Sequence, residues 1–114
     1  EIAALFANDD KLAQALLKAG EEVGEPMCRL PLFSPYRQLL KSKVADLKNI
    51  AGRPAGSITA ALFLQAFVPE TTPWAHLDIA GPAFMERDSR PDTPQGGTGW
   101  GVRTLIRYLQ SQAR

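Results

Sequence analysis

The sequence predicts an α/β fold, and two stretches predict it. A glycine-rich turn, Gly52-Arg-Pro-Ala-Gly56, opens into a helix over residues 57–68 that is apolar on nearly every side. Ten residues beyond Leu64, Trp74-Ala-His-Leu-Asp-Ile-Ala80 is a short apolar run closed by Gly81-Pro82, the pattern of a buried strand. Together they form half of an α/β layer, with a Gly/Pro-rich loop at each end where a ligand can sit. With 114 residues there is material for one modest domain, and no linker or internal repeat divides it.

The remaining elements follow in order. Residues 2–6 form a short apolar run, either the tail of a strand or a helical turn. Asn8-Asp9-Asp10 supplies a helix N-cap and an acid beside the positive end of the helix dipole. Leu12, Leu16, Leu17 and Val23 then recur at helical spacing, with Lys11, Gln14, Lys18, Glu21 and Glu22 on the other side. That stripe reads as core packing. Gly24-Glu-Pro26 breaks the helix. Pro31 makes the extended segment 27–33 an edge strand or an irregular crossing. Ser34-Pro35 predicts an N-cap with proline at the first helical position, starting a short helix over 36–42 with Tyr36, Leu39 and Leu40 on one side.

Residues 44–50 alternate and predict a strand. Ser57 is the expected N-cap of the apolar helix, which needs more cover than this chain supplies; Ala55, Gly56, Ala60 and Ala61 leave room for a close backbone. After a turn at 69–73, the strand at 74–80 places Ala75, Leu77 and Ile79 on one face. Residues 85–97 are polar, carry prolines and predict a surface loop. Thr98-Gly-Trp-Gly101 opens a last helix through Gln112, with Val102, Leu105, Ile106 and Leu109 expected inward and Arg103, Arg107 and Gln110 outward.

Composition excludes some partners. Thirteen basic residues against twelve acidic ones give a net charge of +1, so there is no strong electrostatic signal for nucleic acid or an anionic membrane. The longest apolar run, 58–68, is interrupted by Thr59 and Gln65 and is shorter than the roughly 18 residues a membrane span needs. A single cysteine, Cys28, excludes an internal disulfide and a Cys-cluster zinc site and fits a reducing, cytoplasmic setting. The chain opens Glu1-Ile-Ala-Ala-Leu-Phe6, with neither an initiator methionine nor a basic targeting segment; the expectation is a piece of a longer protein.

Few residues suggest chemistry by themselves. His76 and Asp78 lie two apart on a strand and share a face, as a general base with its orienter or two metal ligands would. A buried histidine satisfied by a neighbouring carboxylate or carbonyl is the commoner arrangement. A metal would need further ligands, and only scattered acids such as Asp46 are available. The turn at 52–57 resembles an anion cradle at a helix N-terminus, though it lacks the Lys and Ser/Thr of a P-loop. The glycines of 96–101 miss the dinucleotide spacing. Both loops also read simply as turns in which glycine supplies positive φ. Arg53 is the most plausible polar contact, as an interface salt bridge or a carboxylate clamp. Cys28 is far in sequence from the one histidine, and an unactivated buried thiol is inert.

Four segments read together carry a resemblance: Val44-Ala-Asp-Leu-Lys-Asn49, Gly52-Arg-Pro-Ala-Gly-Ser-Ile-Thr-Ala-Ala-Leu-Phe-Leu64, Trp74-Ala-His-Leu-Asp-Ile-Ala-Gly81 and Gly97-Thr-Gly-Trp-Gly-Val-Arg-Thr-Leu105. With Leu5-Phe-Ala-Asn-Asp-Asp10, Gly24-Glu-Pro26, Arg29-Leu-Pro-Leu32 and Tyr36-Arg37 upstream, they resemble the C-terminal part of the leucyl (cytosol) aminopeptidases, collinear over essentially the whole chain. Lys43, Cys28 and Gly97 depart from the pattern, where an acid, a tryptophan and an alanine are usual.

The resemblance implies an α/β/α sandwich with a mixed sheet flanked by helices, residues 1–114 being the C-terminal segment of one catalytic domain. It implies a cytoplasmic, homohexameric two-metal hydrolase, an exopeptidase that removes leucine-like residues from the N-termini of peptides. Two divalent ions, zinc or manganese, would activate a water for attack on the peptide bond. The metal-binding segments and the Asn-Thr-Asp-Ala-Glu-Gly-Arg signature of that family lie N-terminal to the matched region, so no catalytic residue and no metal ligand carries over. The isolated chain is then expected to be inactive. What carries over is part of an apolar side-chain pocket: Ile50, before the glycine turn, and Ala80, Gly81 and Ala83 around the strand end, where the small Ala80 and Gly81 leave room for a leucine-sized group. The rival class is a non-catalytic structural or oligomerisation module derived from that family. A small nucleotide-binding domain is a third reading and predicts stabilisation by nucleotide.

Overall fold

The computed structural model describes residues 2–48, 56–86, 91, 93 and 95–113. Strand β1 (Ala3–Ala7) leads into helix α1 (Asp10–Glu22), followed by strand β2 (Met27–Arg29) and a 3-10 helix (Ser34–Leu40). Helix α2 (Gly56–Gln65), strand β3 (Ala75–Asp78), the short strands β4 (Phe84–Met85) and β5 (Gly96–Gly97), and helix α3 (Val102–Gln112) complete the order. β1 is the centre of a mixed three-stranded sheet ordered β2-β1-β3, with β2 parallel and β3 antiparallel to it. β4 and β5 form a separate antiparallel pair. This is the predicted α/β arrangement, a mixed sheet flanked by helices as in an α/β/α sandwich.

The central position of β1 resolves the ambiguity of residues 2–6. Ala3, Leu5, Phe6 and Ala7 are all buried, as a strand covered on both faces requires. Leu5 and Ala7 join Ala13 and Leu16 of α1 in the main core, with Leu12, Leu17, Met27, Ala75, Leu77 and Tyr108 packed around them. Alternation turns Phe6 to the opposite face, beside His76. Complete burial of Leu5 and Phe6 contributes about 1.5–3 kcal/mol each. Asp9 caps α1 as expected, its Oδ1 accepting from the Leu12 amide at 2.7 Å. Pro31 follows β2, which is indeed an edge strand.

Several expectations are corrected. The helix after Phe33 is 3-10 and starts at Ser34, so Ser34 is not its cap; Pro35 still occupies its first turn. Residues 44–46 form bends and 47–48 are irregular rather than a strand, and Val44 is almost wholly exposed; residues 49 and 50 of that expected strand lie outside the described residues. Ser57 lies inside α2 rather than at its cap. Within the expected loop 85–97, Met85 pairs with Gly96 in the β4–β5 ladder.

The largest correction concerns α3. Val102, Leu105, Ile106 and Leu109 are exposed, and the helix packs against α1 through its other side. That side carries Thr104, fully buried, half-buried Tyr108, and Arg107, which pairs with Glu22. The spacing correctly predicts an amphipathic helix, but the apolar stripe is not the surface α1 covers. Leu64 and Phe67, in and just after α2, are exposed too. The accessible surface is 8005 Å², against about 6,100 Å² for a folded monomer of this mass. The fold leaves apolar surface uncovered.

Candidate functional site

The candidate pocket residues lie in the turn that follows β3. Ile79 accepts a hydrogen bond from the Ala83 amide at 2.9 Å, and Asp78 Oδ1 accepts one from the Ala80 amide at 3.2 Å, so the chain curls over residues 79–83. Ala80 and Gly81 are exposed, Pro82 is buried and Ala83 is half-buried. The structure brings Ala80, Gly81 and Ala83 together. Ile50, Arg53 and the glycine turn at 52–55 lie outside the described residues. Because β3 runs antiparallel to β1, its C-terminal end sits beside the start of β1, at Ala4 opposite Asp78. The turn is therefore not at the carboxyl edge of a parallel sheet, where open α/β sheets bind their ligands.

A second loop holds the turn. Phe84 pairs with Gly97, and immediately after it the Thr98 amide donates to the Ala83 carbonyl at 3.0 Å. The Thr98 hydroxyl donates to the Pro82 carbonyl at 2.6 Å and accepts from the Trp100 amide at 3.2 Å. Gly101, with φ +99°, then turns the chain into α3.

Glu25 is the residue that sequence reasoning missed. In the sequence it reads as part of a helix-breaking Gly24-Glu-Pro26 and of the resemblance, with no role of its own, yet its side chain is only 2% exposed and sits at the start of α3. One carboxylate oxygen accepts from the Gly101 amide at 2.9 Å. The other accepts from the Thr104 amide at 2.9 Å and the Thr104 hydroxyl at 2.7 Å. Arg103 Nε lies 3.8 Å away. These groups are the free donors and positive pole of a helix N-terminus, which favour a carboxylate. Burial pushes the acid upward, but the Thr104 hydroxyl, the two amides and the Arg103 charge outweigh it and hold Glu25 below the usual carboxylate range.

Gly20 makes that approach possible. The Glu25 amide donates to the Gly20 carbonyl at 2.8 Å, and a Cβ on Gly20 would lie 2.5 Å from the Glu25 carbonyl oxygen. The fingerprint in the sequence would have been a glycine inside α1 five residues before a lone acid.

His76 and Asp78 share a face but do not act as a pair. The His76 ring stacks on Trp74, with centroids 6.3 Å apart and planes 10° apart, and lies near Phe6. Burial holds the imidazole below the usual histidine range, and the Asp78 charge opposes that in part. Asp46 is exposed at the rim of an open cavity of about 600 Å³ between α2 and residues 42–48, walled by Phe63 and Phe67. Cys28 is exposed rather than buried, on the edge strand across β1 from His76. Among the described residues no three His, Cys, Asp or Glu side chains gather where they could hold a metal ion. No helix among them is long and apolar enough to cross a membrane.

Comparison with known proteins identifies the family. The model of the cytosol aminopeptidase family, catalytic domain, matches residues 1–106. This chain belongs to the cytosol aminopeptidase family. It is 55% identical over 106 residues to the "Probable cytosol aminopeptidase" of Roseiflexus castenholzii, covering 93% of this chain and 22% of that protein. Among solved structures, the bottromycin maturation enzyme BotP in complex with Mn matches with a TM-score of 0.93 and 50% identity, over 99% of this chain and 25% of that one. The cytosol aminopeptidase of Coxiella burnetii matches with a TM-score of 0.88 and 51% identity, over 99% of this chain and 24% of that one. The chain thus spans a fifth to a quarter of the length of the relatives it matches.

Proposed function

We propose that this chain is the C-terminal segment of the catalytic domain of a two-metal leucyl aminopeptidase, which removes leucine-like residues from peptide N-termini. The observation that carries the reading is the match to the cytosol aminopeptidase catalytic domain over residues 1–106, and the likeness to BotP solved with Mn supports the metal. The two divalent ions, manganese or zinc, are assigned ligands outside this chain, in the segments that the family resemblance puts N-terminal to it; among the described residues no three His, Cys, Asp or Glu side chains gather. The segment's part is the fold core and one wall of an apolar pocket for the substrate side chain, made by Ile50, Ala80, Gly81 and Ala83. The complete enzyme works in the cytoplasm as a homohexamer, and the exposed stripe of α3 is covered by the rest of the domain.

One observation favours the rival reading, a structural or oligomerisation module without catalysis: α3 presents four exposed apolar residues on one side. Hydrolysis of leucine-p-nitroanilide separates the two. The full-length protein carrying this segment is expected to be active and dependent on added manganese, and the 114-residue chain alone inactive. A full-length protein without metal-dependent activity would favour the rival. Metal-dependent activity of the short chain would refute the placement of the ligands, and His76, Asp78 and Asp46 would be the residues to replace.

A further inference from the structure

The pocket turn has little backbone bonding of its own beyond the Ile79–Ala83 bond. Its two successive carbonyls, Pro82 and Ala83, both end on Thr98, one on the hydroxyl and one on the amide. A threonine hydroxyl has one proton to give, and here it goes to Pro82 at 2.6 Å. The hydroxyl's lone pair takes the Trp100 amide, so the side chain ties the turn to the loop entering α3. Three residues beyond Thr98, Gly101 is held by the buried Glu25 carboxylate. The turn is therefore placed by the junction of α1 and α3 as well as by β3.

We propose that Thr98 is a positioning residue for the substrate side-chain pocket, setting where Pro82 and Ala83 stand, and that Glu25 anchors its loop. This rests on the pocket reading above. Thr98 acts on the pocket through the carbonyls it binds. Losing the hydroxyl frees the Pro82 carbonyl and lets the turn relax, which alters the depth of an apolar pocket. A long substrate side chain feels that change more than a short one.

The test uses the full-length enzyme with manganese and compares leucine- and alanine-p-nitroanilide. Thr98→Val keeps shape and loses the hydrogen bond; it is expected to lower kcat/KM for the leucyl substrate about tenfold, mainly through KM, and for the alanyl substrate about threefold or less. Thr98→Ser retains the hydroxyl and restores the wild-type ratio. Asn8→Ala removes the bonds to Thr72 and Trp74 at the far end of β3, and is expected to lower Tm without moving that ratio. The proposal fails if Thr98→Val leaves the leucyl-to-alanyl ratio unchanged, if Thr98→Ser shifts it as far as valine does, or if Asn8→Ala shifts it too. Should Thr98→Val not fold, Thr98→Ala carries the same comparison. A wild-type enzyme that hydrolyses both substrates but shows no preference for leucine would instead refute the pocket reading.

Discussion

Replacing Glu25 by glutamine keeps the shape of the side chain and removes its charge. The carboxylate accepts three hydrogen bonds, one on Oε2 and two on Oε1, all from donors at the start of α3. An amide has one oxygen, so its NH₂ must face either the Gly101 amide or the Thr104 pair, donor against donor. A hydrogen bond to a buried charged group is worth about 1.5–3 kcal/mol, and an unsatisfied buried donor costs about 1–3 kcal/mol. The favourable interaction with the helix N-terminus, about 0.3–1 kcal/mol, is lost as well. The neutral amide is easier to bury, which offsets part of this, leaving about 2–3 kcal/mol. If local opening of the α3 N-terminus governs exchange, the Gly101 and Thr104 amides should exchange about 30- to 150-fold faster in Glu25→Gln.

Hydrogen exchange on the full-length protein reads this directly. The effect should be confined to the first turn of α3 and leave β1 protected. Exchange unchanged at Gly101 and Thr104, or raised equally across β1, would refute the account. The wild type offers a second check through pH. Glu25 is depressed below its ordinary value of 4.5, so its contribution is fully present above that value and is lost as pH falls through the lower, folded one. After correction for intrinsic exchange, protection of these amides should be flat from pH 7 to 5 and fall below about 4.5, and the glutamine variant should lack that step.

Two further outcomes follow from the packing. Gly20→Ala drives a Cβ to 2.5 Å from the Glu25 carbonyl oxygen, so despite alanine's better helix propensity it should destabilise by about 1–3 kcal/mol; a Tm equal to or above wild type would show that the turn can retreat. Ile106→Asp puts a charge in the middle of the exposed stripe of α3, and if the rest of the domain covers that stripe, soluble yield and Tm of the full-length protein should both fall. An unchanged Tm would mean that the stripe stays in water.

Local rules carried the sequence reading wherever the information was local. The Asp9 cap, the edge position of β2 just before Pro31, the strand at Ala75–Asp78 and the glycine entry to α3 each depend on a few neighbouring residues and were readable. Residues 44–48 alternate as a strand would, but the described residues give them no ladder partner: the Val44 and Ala45 amides donate to the Ser42 hydroxyl, and the Lys48 amide to the Leu40 carbonyl at 2.7 Å. Alternation states which way side chains point if a sheet is present; it does not supply the sheet. The candidate pocket was readable only through resemblance. Ala80, Gly81 and Ala83 are small, and small residues at a turn carry no chemical signature.

Glu25 and α3 fail to show for one reason, and it links the fold to the site. An amphipathic helix is expected to turn its apolar stripe toward the protein, and a lone glutamate is expected to sit in water. In α3 both rules are reversed on the α1 side. The helix meets α1 through Thr104, and at its N-terminus the partner is a buried carboxylate that arrives 76 positions earlier in the chain. The charge can be buried because helix amides, a hydroxyl and an arginine replace its water, and the contact is close because Gly20 has no side chain. That arrangement leaves the apolar stripe of α3 free for other protein while pinning the residue after Trp100. The loop so pinned carries Thr98, and through it the Pro82–Ala83 turn. The same contact that reverses α3 therefore places the described part of the proposed substrate pocket, which is why a residue with no apparent role in the sequence is expected to matter to selectivity.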